Sequence, residues 1–153
     1  MENLTSLNLN LGCGFKKLPG FINIDVQTRV NPDLTIDIEN GLPFEAISIN
    51  AVRAHHFLEH IRQASIIYVM EEIYRVLKPE GELDIILPST DGRGAFQDPT
   101  HKSFWNINSF RYFMKDNYRE LYGIKAKFAG EVWNNERRND QVVITKARLK
   151  AVK

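Results

Sequence analysis

Two short stretches of this chain gather residue types that do chemistry. The first, His55 to His60, packs three imidazoles and a carboxylate into six positions. If a helix begins near His56, then His56, Glu59 and His60 fall at i, i+3 and i+4 and share one face. That spacing can bind a divalent metal and spells the H-x-x-E-H of one metalloprotease class. A glutamate near a helix start is favoured by the helix dipole alone. No metal is therefore assigned, and metal-dependent hydrolysis stands only as an alternative. The second stretch, Leu9 to Gly14, is a strand running into a glycine turn. Gly12 and Gly14 let the backbone come close to a bound nucleotide-like ligand, where a Cβ would collide.

Acidic residues follow at the ends of the next two apolar runs. Asp25 closes the second run, where a carboxylate can accept hydrogen bonds from both hydroxyls of a ribose. Asp37, near the end of the third, is placed to border an adenine edge, and a turn or cap role competes at both positions. The long polar segment from Ser89 to Asn106 carries Asp98-Pro99-Thr100-His101, followed by Phe104 and Trp105.

The elements that must hold these groups are short. Leu7 to Leu11, Phe21 to Val26, Leu34 to Ile38, Ile49 to Ala54 and Glu82 to Leu87 read as strands. Ser65 to Leu77 reads as a helix, with Ile66, Val69, Met70, Ile73 and Leu77 on one stripe and Glu71 and Arg75 paired on the wet side. Lys78-Pro79 and Gly81 end it. A second helix is expected over Asn108 to Asn117. Lys125 to Trp133 and Gln141 to Leu149 read as a closing antiparallel pair joined by the turn Asn134 to Asp140.

The pattern predicts an α/β fold, a Rossmann-like, mostly parallel sheet with a C-terminal antiparallel strand pair. The runs Leu7-Asn8-Leu9-Asn10-Leu11 and Ile22-Asn23-Ile24-Asp25 alternate apolar with polar, whereas parallel strands covered on both faces are nearly all apolar. Only nine residues separate Leu11 from Phe21, and a parallel crossover usually takes a dozen or more. The first crossover helix is thus expected to be short or missing, leaving one sheet face thinly covered at that edge.

Leu9 to Gly14, Gly20 to Asp25, Asp37 to Phe44, His56 to Ile61, Glu72 to Gly81 and Asp98 to His101 follow one another in an order that resembles class I S-adenosylmethionine-dependent methyltransferases. The likeness is to the small branch often found among glycan-biosynthesis enzymes, and it covers residues 7 to roughly 113. It implies S-adenosyl-L-methionine as cofactor, with Gly12, Cys13 and Gly14 along the methionine and ribose. It further implies Asp25 on the ribose diol, Asp37 with Ile38 at the adenine, and His55 bordering the methyl-transfer site. Asn10 departs from the pattern, standing where the family usually has Asp or Glu. The implied reaction is methyl transfer to an oxygen or nitrogen of a small acceptor such as a sugar or sugar-linked metabolite. A hydroxyl acceptor must lose a proton, which suits a histidine. His101 is the first candidate base and His56 the second. A binding module that keeps the cofactor but has lost catalysis is the other alternative.

Composition narrows the remaining classes. The 153 residues fit one domain, 1–153, and a formal charge of +1 gives no reason to expect nucleic acid as a partner. A lone cysteine, Cys13, rules out an internal disulfide, and no apolar run reaches the ~20 residues that span a bilayer. With no secretion signal evident, a cytoplasmic location is expected, without membrane partners. The thinly covered sheet edge leaves room for a homodimer.

Overall fold

The computed structural model describes residues 6–137 and 141–153. Its centre is a seven-stranded sheet in the order β3-β2-β1-β4-β5-β7-β6. The strands are β1 (Leu7–Leu11), β2 (Ile22–Asp25), β3 (Leu34–Thr35), β4 (Ile49–His55), β5 (Leu77–Pro88), β6 (Phe128–Arg137) and β7 (Val142–Ala151). The first five run parallel, while β7 is antiparallel to both β5 and β6. The Rossmann-like arrangement expected from the sequence is therefore present.

Strand register sorts the side chains into two unlike faces. Leu9, Val52, Leu83 and Leu149 lie in one cross-strand row, and Leu11, Ala54, Ile85 and Ala147 in the next. One buried cluster joins these residues to Val69, Met70, Ile73 and Val76 of α1 (Ile66–Val76), and to Trp105, Phe110 and Phe113. Each fully buried aliphatic side chain of this kind contributes roughly 2 kcal/mol. The opposite face carries Asn23, Asn10, Arg53, Asp84, Arg148 and Glu131 in one row, with Arg148 and Glu131 exposed.

The expected missing helix explains that polarity. Among the described residues no helix lies between β1 and β2, and the chain there is held by two buried asparagines instead. Asn10 Nδ2 donates to the Lys16 carbonyl at 3.1 Å and to Asn23 Oδ1 at 2.9 Å. Asn23 Nδ2 donates to the carbonyls of Leu18 and Phe21, and Asn23 Oδ1 accepts from the Leu18 amide. Polar groups in a strand interior are thus satisfied by a tight loop.

Several boundaries differ from expectation. The third strand ends at Thr35, because Asp37 caps a 3-10 turn over Ile38–Asn40 by accepting from the Glu39 amide at 3.0 Å. Glu71 does not pair with Arg75. Its Oε1 accepts from the Lys125 amide, while Arg75 binds Glu72 and reaches back to the carbonyls of Leu42 and Phe44. The expected second helix is broken into a 3-10 turn at Ile107–Phe110, α3 (Arg111–Met114) and α4 (Asp116–Tyr122). Asp116 opens α4 where the helix dipole favours a carboxylate, and it pairs with Arg119 and Lys127. Arg119 also occupies the carbonyls of Lys125 and Ala126, so β6 starts only at Phe128. A further short helix, α2 (Gly94–Gln97), lies in the segment after β5. The expected turn Asn134 to Asp140 is partly strand, and residues 138–140 lie outside the described residues. Among the described residues, no helix is long and apolar enough to cross a membrane.

Candidate active site

A cleft of about 730 Å³ opens at the carboxyl ends of β1 and β2, where open α/β sheets bind ligands. Gly12, Gly14, Asp25, Asp37, Ile38 and His56 all line it. Six of the residues singled out in the sequence are thereby brought together.

The two glycines serve different needs. Gly12 has φ +62, and a Cβ there would meet Phe57 Cδ2 at 2.5 Å. It is required by the protein's own packing as well as by its backbone angle. Gly14 has φ +51 with nothing among the described residues within 4 Å of an added Cβ, so its open side belongs to the cleft. Its amide donates to Asp25 Oδ2 at 2.9 Å, and Asp25 Oδ1 accepts from the Gln27 amide at 2.8 Å. These bonds fix the carboxylate across the glycine turn, and each oxygen keeps a lone pair for a ligand.

The wall beyond Asp37 is made, Thr100 apart, by residues to which the sequence reading assigned no role. Glu39 accepts from the Arg62 amide, the Arg62 guanidinium and Ser65 Oγ, joining the turn after β3 to the segment after β4. Burial pushes the Glu39 carboxyl up, but these donors outweigh it and hold the group below its ordinary range. Ile36, Phe57, Arg62, Thr100 and Lys102 complete this side. The Glu39–Arg62 pair spans 23 positions, so no local spacing could reveal it.

Three expected site residues do not line the cleft. Cys13 is buried, its amide donating to the Ile24 carbonyl, and burial together with Asp25 pushes its thiol up. His55 lies on the polar sheet face, in register with Ile86, and binds Asp84 at 2.7 Å. Alternate strand residues point to opposite faces, so the inward Ala54 turns its neighbour His55 away. His101 stands behind His60, ring centroids 5.1 Å apart, with only 7% of its side chain exposed.

The histidine and glutamate cluster is not a helix face. His56 has φ +51, and the chain then makes short 3-10 turns at Leu58–His60 and Gln63–Ser65 before α1. His56 is exposed at the cleft with Nδ1 3.5 Å from Glu59 Oε1, while Glu59 itself is buried. The loop bearing His101 is fastened to this turn by the amides of Lys102 and Ser103, which both donate to the Glu59 carbonyl. The Thr100 hydroxyl and amide hold the Asp98 carboxyl below its usual value.

The methyltransferase-domain family matches residues 19–85. No curated protein matches the sequence. Among solved structures, a SAM-dependent methyltransferase from Archaeoglobus fulgidus superposes with a TM-score of 0.71 at 15% identity, covering 94% of this chain and 86% of that one. The N-methyltransferase NodS from Bradyrhizobium japonicum, in complex with S-adenosyl-L-homocysteine, gives 0.69 at 15% identity, with 97% and 79% covered. The 1,6-didemethyltoxoflavin-N1-methyltransferase of Burkholderia thailandensis, with S-adenosylhomocysteine bound, gives 0.65 at 12% identity, with 97% and 72% covered. The chain has the fold of S-adenosylmethionine-dependent methyltransferases, and its segment 19–85 matches their methyltransferase domain.

Proposed function

We propose that this protein binds S-adenosyl-L-methionine in the cleft and transfers its methyl group to an oxygen or nitrogen of a small acceptor, a sugar or sugar-linked metabolite. The observation that carries this reading is the convergence of Gly12, Gly14, Asp25, Asp37 and Ile38 on one cleft. The residues present fit the cofactor. Gly14 leaves open the space a Cβ would fill, Asp25 keeps acceptor lone pairs, and Ile38 offers an apolar surface beside the Asp37 carboxylate.

When bound, S-adenosylmethionine supplies a methyl group already activated on a sulfonium sulfur. The chain's own work is to hold, align and exclude water. Asp25 fixes the ribose side through the amide-anchored carboxylate. Glu39 and Arg62 brace the far wall, so the cleft is preformed. For an acceptor hydroxyl, His56 is the side chain placed to take the proton. It is exposed at the cleft, with Nδ1 3.5 Å from Glu59 Oε1. His101, expected as the first candidate base, stands behind His60 with Nδ1 on the Ala95 carbonyl and does not line the cleft.

Calorimetry with S-adenosylhomocysteine tests the cofactor, and incubation with methyl-labelled cofactor and a panel of amino and hydroxyl sugars tests the acceptor. Binding of one equivalent and label on a sugar is the expected result. Absence of binding to either form of the cofactor would overturn the reading.

A further inference from the structure

We infer that Glu59, His60 and His101 form a binding site for a divalent transition-metal cation of the Zn²⁺ type. A ligand atom from each of the three lies within 4.8 Å of the other two. Side-chain movements of roughly 1 Å bring such atoms to the spacing of zinc ligands, which sit at about 2.0–2.2 Å from the metal. Two imidazoles and one carboxylate are a donor set that suits zinc and its transition-metal neighbours, whereas Mg²⁺ and Ca²⁺ favour oxygen.

The hydrogen bonds around the cluster leave one ligand nitrogen on each imidazole without a hydrogen bond. His101 Nδ1 lies 2.9 Å from the Ala95 carbonyl, which can only accept. The proton is therefore on Nδ1, and Nε2 presents a lone pair in the neutral ring. The Thr100 hydroxyl donates to Asp98 Oδ1 at 2.7 Å, so it accepts from His60 Nδ1, 3.3 Å away. His60 Nε2 is then free as well. Backbone and hydroxyl partners that fix the tautomer in this way are the usual support of a metal-bound histidine.

Glu59 supplies the independent observation. Its side chain is 3% exposed, and Oε2 is buried with no hydrogen-bond partner among the described residues. An ionised carboxylate oxygen in that position costs several kcal/mol unless a cation meets it. His56 faces the other oxygen, Oε1, and does not relieve Oε2. Likewise, a neutral His101 would set its Nε2 lone pair against Asp98 Oδ2 at 3.5 Å. A cation between these groups answers both mismatches. The sequence suggested His56 with Glu59 and His60; the fold substitutes His101, brought in by the loop tied to the Glu59 carbonyl.

His60 and Thr100 line the cleft, so the cation lies at its rim. It is available to an oxygen of whatever occupies that end, and its presence does not depend on the proposed methyl transfer. Titrating the metal-stripped protein with Co²⁺, Zn²⁺ and Mg²⁺, without cofactor, is the test. One equivalent of Co²⁺ should bind with visible d–d absorption, Zn²⁺ should displace it, and Mg²⁺ should not. Glu59→Gln and His60→Ala should each weaken Co²⁺ binding by at least about tenfold, the loss that even outer-shell changes cause. Metal-free Glu59→Gln should melt no lower than the metal-free parent, since Oε2 has no hydrogen bond to lose. A His60→Ala variant, on the rim, keeps the test valid if the glutamine variant fails to fold. No Co²⁺ binding at millimolar metal, a preference for Mg²⁺, or undiminished binding by folded variants would overturn the inference. Failure of S-adenosylhomocysteine binding alongside intact metal binding would count against the proposed function alone.

Discussion

Asn10 and Asn23 face each other across β1 and β2, with Asn10 Nδ2 donating to Asn23 Oδ1 at 2.9 Å, and both side chains are buried. The pair does the work of the absent crossover helix. Asn23 alone meets the carbonyls of Leu18 and Phe21, the Leu18 amide and Asp33 Oδ2. Asn23→Ala would leave Asn10 Nδ2 and the Leu18 amide without these acceptors. At about 1–3 kcal/mol for each buried group left unpaired, the variant should lose roughly 2–5 kcal/mol. Urea denaturation followed by tryptophan fluorescence measures it, and a loss below about 1 kcal/mol would show that the pair is dispensable.

That pair also marks what could be read in advance. The alternation of Asn8 and Asn10 with leucines announced a sheet face without a helix, because period-2 polarity is a local property of a strand. The same rule applied to Ala54 and His55 would have turned His55 away from the cleft; the family resemblance drew it in. The cleft's glycines and Asp25 were legible because they end or directly follow a strand, and Asp37 because it caps the turn after one. Glu39 with Arg62, and His60 with His101, were not, since these pairs depend on loops meeting after the chain has folded.

The two glycines of the turn should respond differently to alanine. At Gly12 the new Cβ meets the Phe57 ring, and the backbone sits at φ +62. Gly12→Ala should therefore destabilise the fold by more than about 2 kcal/mol. Gly14→Ala meets no protein atom, so only the positive φ opposes it, at about 1 kcal/mol. Its methyl group enters the cleft and should abolish S-adenosylhomocysteine binding in a folded protein. Thermal melts paired with calorimetry separate the cases; equal losses of stability would refute the distinction.

Asp25 is held by two amides yet faces the cleft, so its substitution should act on the ligand more than on the fold. Asp25→Ala should weaken S-adenosylhomocysteine by at least about tenfold, the loss of one charge-assisted hydrogen bond of about 1.5–3 kcal/mol. Calorimetry with the parent and variant decides it, and unchanged affinity would place the ribose elsewhere.

The Glu72–Arg75 clasp gives stability a pH dependence of definite sign. Hydrogen bonds from Arg75 hold the Glu72 carboxyl below its ordinary 4.5, against the opposing effect of burial, and the Leu42 amide adds to the lowering. A carboxyl depressed in the folded state contributes stability above its unfolded pKa and loses it as pH falls below 4.5 through the folded value. Glu72→Gln should cost about 1–2 kcal/mol near neutrality and correspondingly less below the folded pKa. Denaturation across that range would show a parallel offset at all pH values if the clasp contributed nothing through ionisation.

His55 provides the sharpest separation of resemblance from geometry. Its ring lies on the polar sheet face and binds Asp84 at 2.7 Å, which holds the Asp84 carboxyl below its usual value. Asp84 is 46% exposed, so solvent screens the pair and its removal should cost no more than about 1 kcal/mol. His55→Ala should accordingly leave S-adenosylhomocysteine affinity within about twofold of the parent, a change of about 0.4 kcal/mol. The lost stability should appear above the ordinary Asp84 pKa of 3.8 and vanish as pH falls through the depressed value. A tenfold loss of affinity in a variant that melts normally would instead return His55 to the cofactor side, and with it the orientation assigned to the end of β4.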